Sequence, residues 1–191
     1  MMRGICICGG GSLGHVVAGY LAATKPVKVN VLTQRPERWS REIVVDTPDG
    51  RVLHGGLNVV SSDPAEALSG VDVVLLCLPG FAIRDELIKI RPYLNKDTYV
   101  GSVFSSTGFF FEAMKLLGDD VPLWGFQRVP FIARTEEYGH SAHLLGYKSA
   151  HNIAVERCDD KEGFRALIES LFDAPVTLLS NYYEASLTNS N

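Results

Sequence analysis

Gly9-x-Gly11-x-x-Gly14 is the spacing in this chain with the plainest chemical meaning. Where a glycine run joins a strand to a helix, the first N–H groups of the helix lie unpaired at the positive end of its dipole. The chemistry on offer is the holding of an anion, a phosphate or pyrophosphate seated on backbone donors. Here Gly9-Gly10-Gly11-Ser12-Leu13-Gly14 follows the apolar run Gly4 to Cys8 and opens a helical pattern, Leu13 to Ala23. The unit is roughly thirty residues long and ends in a second apolar run, Val27 to Leu32, the context that makes such a motif specific. Gly9 is expected to make the tight turn, Gly11 to leave room for the ligand, and Gly14 to let helix and strand pack closely, with Ser12 and Leu13 among the phosphate-facing positions.

In units of this kind an Asp or Glu at the end of the second strand, roughly twenty residues on, binds the adenosine ribose of NAD. This chain instead reads Leu32-Thr33-Gln34-Arg35-Pro36-Glu37-Arg38. Thr33 and the planar, permanently charged fork of Arg35, supported by Arg38, suit a 2'-phosphate. NADP is therefore the expected cofactor. NAD stays open, because Glu37 reaches a ribose if the loop curls back.

Ligands of such sheets sit outside the carboxyl ends of the strands. That adds Leu78, Pro79 and Gly80, which close the run beginning at Val71, and Thr107, which follows Thr98 to Phe104, to the candidate cofactor-binding residues. Each also reads as a turn residue or helix cap. Arg134 is the candidate carboxylate-binding group, with a rim or structural position as the alternative. His15 reads as a positioning or exposed residue rather than a proton carrier. None of His54, His140, His143 or His151 has an acid at a spacing that argues a catalytic pair, so no catalytic residue is assigned.

These residues must be positioned by an alternation of apolar runs and helical patterns, the signature of an α/β protein with a Rossmann-type, doubly wound, mostly parallel sheet. Further strands are expected at Leu57 to Val60, Val71 to Leu78 and Thr98 to Phe104, and antiparallel additions at Leu123 to Phe131, Leu144 to Lys148 and Asn152 to Glu156. Asp49-Gly50 marks a tight hairpin within Glu42 to Leu53. Asp63 and Pro64 start a short helix through Leu68, Ala82 to Leu94 and Gly108 to Leu117 are helical, and Lys161 to Phe172 leads to a last strand at Val176 to Leu179.

A hydrophobic share of 46%, a charged share of 21% and a formal charge of -4 are those of an ordinary soluble domain, without the basic excess that nucleic acid requires. No apolar run is long enough for a membrane span. Three of the four cysteines, Cys6, Cys8 and Cys77, fall in apolar runs and are expected as buried free thiols, as in a cytoplasmic protein; Cys158 is the fourth. Neither the cysteines nor the five histidines, His140 and His143 included, form a metal-ligand pattern.

Gly14-His15, Pro79-Gly80, the segment Phe126 to Arg134, Gly146-Tyr147-Lys148 and the ending Ser186-Leu187-Thr188-Asn189-Ser190-Asn191 together give a chain that resembles the opine dehydrogenases of octopine and nopaline dehydrogenase type. The resemblance implies a Rossmann domain joined to a helical second domain, and NAD(P)H-dependent reduction of the imine formed between a 2-oxo acid and an amino acid. On that basis residues 1–180 are expected to form the cofactor domain and residues 181–191 to open the helical one. The family's acid/base histidine would lie beyond Asn191. Gln127-Arg128 stands where relatives carry small hydroxyl residues, which makes Gln127, with Arg134, a candidate substrate-binding position. A homodimer is open. So are two other readings, a non-catalytic dinucleotide-binding sensor or partner module, and a reductase of ketopantoate or glycerol-3-phosphate type.

Overall fold

The structure is a computed structural model that describes residues 4–187. In chain order its elements are β1 (Gly4–Cys8), α1 (Ser12–Thr24), β2 (Lys28–Leu32), β3 (Glu42–Asp46), β4 (Val52–Gly56), β5 (Val59–Ser61), α2 (Pro64–Ala67), β6 (Val73–Leu76), α3 (Gly80–Ile90), β7 (Tyr99–Ser102), α4 (Phe109–Leu116), β8 (Leu123–Phe126), β9 (Phe131–Glu137), β10 (Ser141–Tyr147), β11 (His151–Glu156), α5 (Lys161–Phe172), β12 (Val176–Leu178) and α6 (Tyr182–Leu187). The class is the mixed α/β, Rossmann-like one that the alternation predicts. Two compact units share the chain: one takes the described part of Met1–Cys77 with Phe131–Tyr147, the other Leu78–Pro130 with the described part of Lys148–Asn191.

In the first unit β1 lies between β2 and β6, with β5 beyond β2, and all these pairings are parallel. The side chains of Ile5 to Cys8 and Val73 to Leu76 are fully buried, as strands covered on both faces must be. Because β2 and β6 flank β1 on opposite sides, the switch in strand order falls at its carboxyl end, where such sheets open a crevice. A second sheet runs in the order β4-β3-β10-β9. Its β3–β4 and β9–β10 pairs are antiparallel and its β3–β10 pair is parallel.

Helix α1 packs against strands of both sheets. It is buried continuously from Gly14 to Leu21, which explains why its sequence lacks a polar stripe. Glycine permits the approach on the second sheet. A Cβ on Gly19 would lie 2.5 Å from Val45 Cγ2, and one on Gly55 would lie 2.4 Å from the Gly19 carbonyl oxygen. The predicted turns are present as well. Gly50 takes φ +81° in the β3–β4 hairpin, and Asp63 caps α2 by accepting the Ala65 N–H at 2.9 Å.

The second unit pairs β7 with β8 in parallel, β8 with β11 antiparallel, and β11 with β12 in parallel. Its core gathers Trp124, Phe126, Phe164 and Phe172 edge to face. Helix α5 has the bounds its apolar spacing predicts, with Asp160 accepting the Gly163 N–H at 2.8 Å. None of the four cysteines is in a disulfide, and Cys6, Cys8 and Cys77 are buried. Of the Ser186 to Asn191 motif, residues 188–191 lie outside the described residues.

Two expectations need correction. The run Leu123 to Phe131 is two strands, not one. It breaks after Phe126, and β9 starts at Phe131 in the other unit's sheet, because Pro130 has no N–H to donate to a ladder. The expected antiparallel additions are antiparallel on one side only: β8 pairs antiparallel with β11 and β10 with β9, but β8 runs parallel to β7, β10 to β3 and β11 to β12.

The tight contact at Gly55 leads to a prediction. Gly55→Ala forces a methyl group onto the backbone of α1 and should cost about 1–3 kcal/mol, whereas Gly56→Ala, with nothing within 4 Å of the added carbon, should stay within about 0.5 kcal/mol. Thermal unfolding of the two variants side by side checks this.

Candidate functional site

Each glycine of the motif has a separate physical reason. Gly9 takes φ +123°, a region that side chains oppose, and its N–H donates to the Leu32 carbonyl at 3.0 Å, fastening the loop to the end of β2. Gly11 precedes the first turn of α1 in an extended conformation, is exposed, and has open space where a Cβ would be. Gly14 packs so closely that a Cβ would lie 2.4 Å from the Gly9 carbonyl oxygen. Helix α1 starts without a side-chain cap, leaving its leading N–H groups as donors at the switch point. Ser12, the first of them, binds the second sheet through its hydroxyl, which accepts the Thr135 N–H at 2.9 Å and lies 3.1 Å from Thr135 Oγ1. Leu13 is half-buried on the same turn.

At the tip of β2, Thr33 is buried and bonded through its N–H to the Ser61 carbonyl at 3.0 Å. A 3-10 turn, Pro36–Arg38, follows and leaves Arg35 and Arg38 exposed. Neither arginine pairs with a carboxylate among the described residues. The Arg38 guanidinium lies 4.8 Å over the ring of Tyr138, a cation–π placement that holds the head of a long side chain.

His15 ties the loop to its surroundings. It is fully buried, with Nδ1 2.9 Å from the Gly11 carbonyl oxygen and Nε2 accepting the Gly139 N–H at 2.7 Å. The second bond requires a lone pair on Nε2, so Nδ1 carries the proton and the ring is neutral. Trp39 stacks on the imidazole at 4.3 Å and Tyr138 meets it edge-on at 5.3 Å. Gly139 takes φ +78°, and a Cβ there would lie 2.0 Å from the Arg38 carbonyl oxygen. His15 is thus a positioning residue, one of the two roles its sequence context allows. Its partners, together with Tyr138 and Thr135, could not be found from sequence spacing; the available signal was Tyr138-Gly139 as a turn between two alternating stretches.

In the second unit Pro79 precedes α3 in an extended conformation, again with no side-chain cap. Leu78 is half-buried and Gly80 exposed. Gly80 and Thr107 are brought together, since a Cβ on Gly80 would lie 2.9 Å from the Thr107 carbonyl oxygen. Thr107 donates its hydroxyl to the Phe104 carbonyl at 2.9 Å.

The two candidate substrate residues stand in other settings. The Gln127 carboxamide accepts from Asn152 Nδ2 at 3.0 Å and donates to the Glu184 carbonyl at 3.1 Å, joining β11 to α6. Arg134 is exposed on β9 and alternates with Thr135, so it lies on the sheet face opposite to the one that meets Ser12. That outer face also holds acid–histidine pairs that linear spacing hid. His54 Nδ1 lies 3.0 Å from Glu42, and His143 lies 3.4 Å from Asp46 and 3.7 Å from Glu136. His143 lies within β10. Asp46, Glu136 and His143 bring ligand-type atoms within 4.8 Å of one another, on a solvent-facing surface where ion pairing accounts for the arrangement.

A glycine-turned loop, an uncapped helix and a strand-order switch define a Rossmann-type nucleotide-binding protein. The family model described as ketopantoate reductase PanE/ApbA matches residues 5–106, and the chain belongs to that family. Octopine dehydrogenase of Pecten maximus is 32% identical over 160 residues, 76% of this chain and 40% of that protein. A solved octopine dehydrogenase structure with NADH and pyruvate superposes at a TM-score of 0.85 with 27% identity, covering 97% of this chain and 52% of that one. Yersinopine dehydrogenase with NADP+ bound shares the fold alone, with a TM-score of 0.70 at 13% identity over 94% of this chain and 48% of that one. The resemblance to opine dehydrogenases is borne out. The chain spans about half the length of the curated relatives it matches.

The buried histidines set a pH dependence. Burial pushes His15 below its ordinary 6.5, outweighing the bond to the Gly11 carbonyl, which favours the charged form. Burial lowers His151 likewise, between Phe126 and Phe172. As the pH falls below about 6.5 the unfolded chain takes up protons that the folded chain refuses, so stability declines. We expect His15→Gln to flatten part of the fall in Tm between about pH 7.5 and about pH 5.5, and the double variant with His151→Gln to flatten more of it. An unchanged slope in both would contradict the assignment.

Proposed function

We propose that this chain is the cofactor-holding part of an oxidoreductase of opine-dehydrogenase type, with NADP(H) preferred over NAD(H). The observation that carries the reading is the uncapped start of α1 at the switch point, with two exposed arginines and no acid directly at the tip of β2. The cofactor's nicotinamide would supply a hydride to the imine of a 2-oxo acid and an amino acid. The chain's own residues do the holding. N–H groups from Gly11 to Gly14 take the pyrophosphate, Thr33 and the Arg35 fork take the 2'-phosphate, and Arg38 supports them. Leu78, Pro79, Gly80 and Thr107 border the nicotinamide half. That relatives bind NADH, pyruvate or L-arginine supports the substrate class.

In this reading residues 1–180 form the cofactor domain and residues 181–191 open a helical second domain that carries the proton donor. Supporting this, α3 and α6 both pack on the turn Ser105–Thr107, and they expose apolar side chains, Phe81 at 88%, Tyr183 at 50% and Leu187 at 69%. Apolar surface gathered around one turn is where a further domain or subunit gains most by docking. Four cysteines outside any disulfide fit a reducing, cytoplasmic setting. No helix among the described residues is long and apolar enough to cross a membrane.

Calorimetric titration tests the cofactor assignment. NADPH should bind more tightly than NADH, and Arg35→Ala should cost roughly 10- to 100-fold in NADPH affinity while leaving NADH little changed, the loss expected for hydrogen bonds to a charged group. Equal affinities in the unmutated protein would overturn the NADP preference.

A further inference from the structure

We infer that Tyr138, in the turn between β9 and β10, is a ligand-contacting residue of the dinucleotide site; this rests on the reading above that the glycine loop holds a nicotinamide dinucleotide. The parallel sheet brings α1 and the tip of β2 to the ligand position, and the second sheet brings Tyr138 to the same place. A carbon built on Gly10 would lie 2.6 Å from the Tyr138 hydroxyl oxygen and 3.2 Å from Thr33 Oγ1. The phenol and the threonine hydroxyl therefore converge beside the middle of the glycine run. In a sheet of this topology the pyrophosphate lies over the glycine turn and the adenosine ribose toward the end of the second strand. Gly10 and Thr33 mark the passage between them.

The ring is held in this position on several sides. It meets His15 at 5.3 Å and Trp39 at 6.0 Å, both edge-on. The next residue, Gly139, donates its N–H to His15 Nε2 at 2.7 Å and accepts the Ser40 N–H at 2.9 Å. The hydroxyl, by contrast, has no hydrogen-bond partner among the described residues. A clamped ring with an uncommitted O–H is the arrangement a preorganised ligand contact needs. The phenol O–H donates to a pyrophosphate oxygen on the adenosine side of the ligand, while the ring face carries Arg38 at 4.8 Å and steadies its donor fork. Gly10 is then a glycine because a side chain there would fill the space of the phenol.

The test is calorimetric titration of the wild type, Tyr138→Phe and Tyr138→Leu with NADPH, NADH and ADP-ribose, the last lacking nicotinamide. Tyr138→Phe keeps the ring and removes the O–H, and all three ligands should weaken by roughly 10-fold, the loss of one hydrogen bond to a charged acceptor. Tyr138→Leu also removes the platform under Arg38, and NADPH should weaken further than NADH. If Tyr138→Phe binds all three as tightly as the wild type, or if only the two nicotinamide ligands weaken, the inference is overturned while the dinucleotide reading stands. If the wild type binds neither NADH nor NADPH, that reading fails and takes this inference with it.

Discussion

A helix with no solvent face has to satisfy apolar contacts around its whole circumference, and α1 does so by lying against strands of two sheets at once. The approach is set by backbone rather than by side chains. Gly14 rides on the Gly9 carbonyl, and Gly19 and Gly55 meet almost backbone to backbone. Interiors are packed densely enough that one methyl group in such a place has nowhere to go. The ligand-facing consequence is that the start of α1 is fixed relative to the ends of β1 and β2. A rigid row of N–H donors binds an anion without first losing conformational entropy.

The second sheet makes this arrangement more than a strand–loop–helix unit. Through Thr135 it fixes Ser12, through Gly139 it fixes His15, and through Tyr138 it supports Arg38. His15 is central because an imidazole is both donor and acceptor in its neutral form. One ring nitrogen holds the loop carbonyl and the other holds the hairpin turn, a pairing that neither a cation nor an apolar ring of similar size reproduces. Trp39 covers its face at the cost of leaving its own Nε1 buried without a partner among the described residues. An unpaired indole N–H in that position shows that stacking and shape, not hydrogen bonding, decide how Trp39 sits.

What the sequence made legible was local. The motif glycines, the Asp49-Gly50 hairpin, the Asp63 cap and the bounds of α5 follow from interactions within a few residues, and each is found where the residue types place it. Strand β9 was hidden because only one of its faces is buried. Arg134 and Glu136 point outward and dilute the apolar signal, and Phe126 and Phe131 read as one run across Pro130. His143 and Asp46 stand directly opposite across a β-ladder, and His54, opposite Val44, meets Glu42 diagonally, relations that linear spacing does not carry. The same holds for the candidate site. The glycine loop and the arginines were visible as motifs, whereas Tyr138 and Gly139, which His15 meets, lie more than a hundred residues along the chain, in the turn of a sheet whose existence the sequence only half reveals.

The chain's inventory of groups explains the division of labour proposed for it. It offers backbone donors, hydroxyls and guanidinium groups, all of which hold anions. Its two buried histidines are pressed toward neutrality by desolvation, and His15 has both ring nitrogens engaged, so it has no proton to give a substrate. A neutral imine reduced by hydride needs a proton at its nitrogen, and a donor for that step must be mobile between two protonation states near neutral pH. The histidines that do have acid partners, His54 and His143, sit on an open sheet face where water screens any charge. In the function proposed above, such a donor would come from a segment that covers Phe81, Tyr183 and Leu187. Covering these side chains would remove apolar surface from water and exclude water from the turn they surround.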